Sequence, residues 1–180
     1  MTQTKAHQNW IGILLCIFAS CFAAWIFWAE LWQQTSHMSD VTFHLSILHS
    51  IDVAVKSGGN PVDFWYDGSP FGFALFRGYQ HLPHLIVYYI YRACSEQFAL
   101  ESILRVSTCI LATLVPCCFF ICMRLLGLSK LSAGFSALFS VLVVEIGNYG
   151  LGLHNYNWGS GGIIAQLWAC CFLLPAVGVS

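Results

Sequence analysis

The sequence predicts an all-α polytopic membrane protein with about four transmembrane helices. It also predicts a large external first loop that carries an interfacial amphipathic helix and a short re-entrant or interfacial helix. Three observations lead there. Hydrophobic residues make up 58% of the chain and charged residues 8%, too little polar surface for a water-soluble protein of this length. Apolar runs near the roughly 20 residues needed to cross a bilayer as a helix recur along it. Between the first two such runs lies a stretch too polar to cross, residues 30–102, where most of the acidic side chains gather.

The first span is residues 10–28, from Trp10 to Trp28, longer than a typical signal-peptide core and without a convincing small-residue cleavage site after it, so it reads as retained. Three further runs follow at residues 103–126, 131–146 and 162–179, with a second external loop at 147–161. Leu82 to Tyr91 is too short for a span and carries Pro83 and His84, which suits a re-entrant or interfacial segment. With the N-terminus in the cytoplasm, four spans put Lys5, Arg124 and Lys130 inside, as the positive-inside tendency expects, whereas five would move Arg124 and Lys130 outside. The nine cysteines lie mostly within apolar runs and imply no disulfide framework. A net charge of −1 gives no basic surface for nucleic acid, and the bilayer itself is the first partner.

In this topology Glu30, Asp40, Asp52, Asp63, Asp67, Glu96 and Glu101 all fall in the first external loop, and Glu145 sits near the outer end of the third span. Either outer loops merely avoid lysine and arginine, or an active site opens to the outer face. Within the loop, residues 40–57 place Val41, Leu45, Leu48, Ile51 and Val55 at three- and four-residue intervals, the spacing of an amphipathic helix. Ser39 or Asp40 can cap it, and Gly58-Gly59-Asn60-Pro61 ends it. Such a helix beside an anchor is expected to lie in the interface, apolar side down. Asp40 and His44, one turn apart, share a face. From Pro61 to Gly72, turn formers alternate with Trp65, Tyr66 and Phe71, which reads as a loop with aromatic anchors.

The order of these pieces resembles the membrane glycosyltransferases of the C-type (GT-C) fold, which use polyprenyl-linked sugar donors. The matching residues are Ser39-Asp40 with His44, Gly59-Asn60-Pro61, Trp65, Gly68-Ser69-Pro70, Tyr79 to Pro83, and Arg124 to Gly127. The segment from Tyr149 through His154, Asn157 and Trp158, with Gln166-Leu167-Trp168 after it, looks especially like a bacterial family called the 6-pyruvoyl-tetrahydropterin synthase-related membrane domain. Members of the fold usually have about a dozen spans and a soluble C-terminal portion, so the resemblance implies that these residues are the N-terminal part of a longer module in a bacterial plasma membrane.

That resemblance implies a catalytic role for Asp40, as general base toward a hydroxyl acceptor or as an oxygen ligand for a divalent metal at the donor phosphates. The same carboxylate also suits a plain helix cap. His44 would orient Asp40 or contact a phosphate, or simply occupy a polar face. Arg77 and Arg92, with Arg105, suit a lipid-linked phosphate or any anionic headgroup. Where many such transferases carry a second acidic motif, this chain has His154 and Asn157, suited to hydrogen-bonding a sugar but equally at home in a glycine-rich turn. Glu145 is an intramembrane acid or a side chain snorkelling to the headgroups. His81 and His84 have helical ligand spacing, which Pro83 interrupts, with no third spaced ligand for zinc. The alternative function is a membrane transporter or a lipid-handling or scaffold subunit without catalysis.

Overall fold

A computed structural model of the protein describes residues 2–32, 40–68, 71–94, 97–143, 152 and 164–179. The order is α1 (Thr2–Trp28), a 3-10 turn (Ala29–Leu31), α2 (Asp40–Lys56), β1 (Trp65–Tyr66), β2 (Phe73–Ala74), a second 3-10 turn (Leu75–Arg77), α3 (Leu82–Ala93), α4 (Leu100–Leu125), α5 (Lys130–Leu142) and α6 (Ile164–Val179).

Two of these helices are long and apolar enough to cross a membrane. Asn9–Trp28 of α1 runs for 20 residues at a mean hydropathy of 2.3, and α4 for 26 residues at 2.2. At 1.5 Å per residue, about 20 residues span the 30 Å hydrocarbon layer. Trp10, Leu14, Phe18 and Trp25 of α1 stay exposed, at 61% or more. A row of large apolar side chains left uncovered asks for apolar surroundings. The two later runs form shorter helices, 13 residues in α5 and 16 in α6. The remaining ends of the expected third and fourth spans, residues 144–146 and 162–163, lie outside the described residues.

Small residues let the long helices close on one another. α1 packs against α5 and α4, and α4 also packs against α5 and α6. Ala19, Ala23, Ala133 and Ala137 are fully buried where these helices meet, and their small side chains let the backbones approach closely. Gly127, at φ +84° after α4, turns the chain toward α5, where Ser129 caps the helix by accepting from the Ser132 amide at 3.1 Å.

The segment between the two long helices differs from a helix lying flat on lipid. Val41, Ile47, Leu48 and Ile51 of α2 are fully buried, and α2 packs on α3 and α4. The amphipathic periodicity is real, but its apolar stripe is covered by protein. His44 lies on that stripe at 3% exposure, not on a polar face, because α3 supplies a partner for its ring. The C-terminus of α2 closes as its glycines suggest: Gly58 takes φ +80° and the Gly59 amide donates to the Ala54 carbonyl at 2.8 Å. Leu82 to Tyr91, read as a short re-entrant or interfacial piece, belongs to helix α3, Leu82–Ala93, with Pro83 in its first turn, where a missing N–H costs nothing.

Between α2 and α3 sits a small antiparallel hairpin that an all-α reading leaves as loop. Trp65 pairs with Ala74 and Tyr66 with Phe73. Two-residue strands carry no detectable alternation. What holds them is side-chain packing: the Tyr66 hydroxyl shares a 2.6 Å hydrogen bond with Ser46 of α2, and Gly68 leaves room for the Tyr66 ring, which a Cβ there would overlap.

Candidate functional site

A cavity of about 430 Å³ opens where α2, the start of α3 and α6 meet. Asp40 and His44 line it from α2, Tyr79, Gln80, Leu82 and Pro83 from the approach to α3, and Gln166, Trp168 and Phe172 from α6. Asp40 is exposed and is the first residue of its helix, where a carboxylate complements the positive end of the helix dipole. One turn later His44 points into the same space, so the two residues paired by sequence spacing do share a site.

The buried chemistry centres on two histidines. His44 Nδ1 lies 2.9 Å from His84 Nε2, and both residues are 3% exposed. His84 Nδ1 lies 3.2 Å from the Gln80 carbonyl, which can only accept. His84 therefore carries its proton on Nδ1 and presents Nε2 as an acceptor, so His44 must donate from its own Nδ1. The tautomers, assigned by this network, leave the Nε2 lone pair of His44 as an acceptor with no hydrogen bond among the described residues. Burial pushes His44 down to about 3, with the neighbouring His84 adding to the effect, and burial pushes His84 down to about 4 against the opposing Gln80 bond. Both rings are neutral at physiological pH.

Around this pair the walls are aromatic. Tyr79 packs edge-on to Phe43 at 5.5 Å and against His84 at 5.9 Å. Burial, and then the negative charge of Asp40, raise the Tyr79 hydroxyl above its ordinary range, so it stays a proton donor. Trp168 and Phe172 stack at 5.9 Å along α6. The indole Nε1–H of Trp168 is buried and has no hydrogen-bond partner among the described residues. A buried orphan donor is costly and points to a group that joins it there.

The other sequence candidates fall elsewhere. Arg77 pairs with Asp63 at 3.3 Å, both exposed, outside the cavity. Arg92 is exposed in the last turn of α3 and does not line the cavity. Arg105 is buried in α4 and donates to Glu101 at 2.7 Å. His154, Asn157 and Glu145 lie outside the described residues. His81 is exposed and stacks near Phe76, so the histidine that His84 meets is His44 and not the helically spaced His81. Tyr79, Gln80 and Trp168 were legible only as pieces of motifs; nothing in their local pattern tells that they converge.

Asp40 is the one carboxylate that lines the cavity among the described residues. No three His, Cys, Asp or Glu side chains come together there or elsewhere among those residues. A protein-built cage for a hard divalent cation needs more oxygen ligands than one carboxylate and the amides of Gln80 and Gln166 provide. No step is assigned to a metal. The chain matches no family model, no curated protein and no solved structure.

Proposed function

We propose that these residues form part of an integral membrane glycosyltransferase that moves a hexosyl or pentosyl group from a polyprenyl-linked donor to a hydroxyl acceptor. In this reading the chain has four spans in a bacterial plasma membrane, its N-terminus is cytoplasmic, and the cavity opens at the outer face. One observation carries it: Asp40 and His44 open onto a single cavity at the end of a cluster of apolar helices, where a lipid carrier would present its headgroup.

The chemistry follows from the lining. A hydroxyl acceptor loses its proton to the Asp40 carboxylate as its oxygen bonds to the sugar's anomeric carbon. The bond from that carbon to the carrier phosphate breaks, and polyprenyl phosphate leaves with the electron pair. The neutral histidine pair adds no competing charge, and the aromatic side chains of Tyr79, Trp168 and Phe172 offer apolar faces to a sugar ring.

The test is turnover of a panel of polyprenyl-phosphate hexoses and pentoses by the full-length protein in nanodiscs, read as release of polyprenyl phosphate. Asp40→Asn is expected to lower the rate about 100-fold or more while the protein stays inserted and folded. A wild-type rate in that variant removes Asp40 from the mechanism. An apolar groove between α3 and α4, about 280 Å³ and lined by Ile90, Phe98, Val106 and Ile110, favours a second reading as a lipid-handling subunit. That reading predicts carrier binding with no turnover of any donor.

A further inference from the structure

Next to the main cavity lies a second, smaller space of about 10 Å³, on the order of what one water or one hydroxyl occupies. His44, Pro83, Ala165 and Trp168 line both spaces. The orphan donor Trp168 Nε1–H and the unused acceptor His44 Nε2 thus belong to residues that flank the same opening. A hydroxyl, whether of a water or of a sugar, satisfies both at once by accepting from the indole and donating to the imidazole.

We propose that His44 and Trp168 form a hydroxyl subsite for a saccharide, in which one sugar hydroxyl bridges Trp168 Nε1 and His44 Nε2 while the ring lies against Phe172. The saccharide's place in sugar transfer rests on the function proposed above; the subsite itself rests on the donor, the acceptor and the two spaces that their residues line together. No cation lines either space among the described residues, and the Asp40 carboxylate stands at the larger one, so a neutral polyol is favoured over an anion. Phe172, exposed and stacked on Trp168, supplies an apolar wall for the C–H face of a sugar. His84 acts as a positioning residue: its bond to Gln80 fixes which nitrogen His44 offers.

The experiment uses full-length protein in nanodiscs with ¹⁵N-labelled tryptophan and histidine, and the Trp168 signal assigned through Trp168→Phe. Hexyl glucoside, galactoside and mannoside are titrated below their micellar concentrations, with hexyl phosphate as the anionic counterpart. At least one glycoside is expected to shift the Trp168 N–H and the His44 ring nitrogens saturably. Trp168→Phe, which keeps an aromatic ring but loses the donor, is expected to weaken that binding about tenfold, as loss of one hydrogen bond predicts. His84→Asn, still folded by the dispersion of its amide signals, is expected to weaken binding and change the His44 tautomer signature.

A Trp168 N–H unmoved by all three glycosides, or moved as much by hexyl phosphate, overturns the subsite. So does a signal exchanging only with water, which would mean a bound water and nothing more. Glycoside binding with no turnover of any donor leaves the subsite standing and removes the transferase reading, whereas turnover with no shift at Trp168 does the reverse.

Discussion

Gly12 of α1 and Gly134 of α5 meet backbone against backbone: a Cβ on Gly134 would overlap the Gly12 carbonyl, and a Cβ on Gly12 would overlap the carbonyl of Lys130. Neither neighbour is a flexible side-chain end, so relief would require the helices to separate. Gly134→Val is therefore expected to cost about 3 kcal/mol, the upper end of overpacking penalties, and to lower the thermal midpoint in detergent. Gly78→Ala, which meets open space at a φ of −131°, is expected to stay within about 0.5 kcal/mol. Equal midpoints for the two variants would deny the close crossing.

The His44–His84 pair makes a pH prediction of definite sign. Both rings start from 6.5 in the unfolded chain and are held at about 3 and about 4 in the fold. Between those values the unfolded state binds more protons, so the pair's contribution is fully present above pH 6.5 and is lost as pH falls toward 4 and then 3. The slope reaches about 1.4 kcal/mol per pH unit for each histidine. Thermal midpoints taken from pH 7.5 down to 4.5 are expected to drop steeply in the native protein and less in His44→Asn/His84→Gln. An acid limb just as steep in the double variant would assign the loss to other groups.

Arg77 separates sequence reading from structure. Its guanidinium is 75% exposed and pairs with Asp63, in a geometry where an ion pair contributes little. Arg77→Ala is expected to change stability by no more than about 0.5 kcal/mol and to leave donor turnover at the wild-type rate. A large loss of turnover would place the phosphate beside Arg77 and away from the α6 wall.

The proposed four-span topology is open to labelling. In a Cys94→Ser background, a cysteine at Ser57, exposed in the turn after α2, is expected to react with an impermeant maleimide added outside intact cells. A cysteine at Ser129, exposed between α4 and α5, is expected to react only after the membrane is opened. Outside labelling at Ser129 would support the five-span arrangement instead.

Much of this was local information. Hydropathy marked the apolar stretch Asn9–Trp28 within one residue and α4 within three, though not the start of α1 at Thr2, because an apolar run reports its surroundings without reference to any partner. Periodicity marked α2 to within one residue of its end, and Gly58 and Gly59 marked how it stops. The two-residue strands at Trp65 and Phe73 were invisible, since their stability comes from Tyr66 reaching Ser46 and not from a propensity of their own.

What the sequence by itself determined is which segments avoid water and where the helices begin and turn, together with the shared face of Asp40 and His44. Only the tertiary structure decided that α2's apolar stripe is covered by protein, that His44 meets His84 forty residues away, and that Trp168, whose N–H has no partner among the described residues, lines the same cavity. The physical reason is range: helix formation is set by neighbours within a turn, whereas a hydrogen-bond partner or a cavity wall exists only once distant elements have packed.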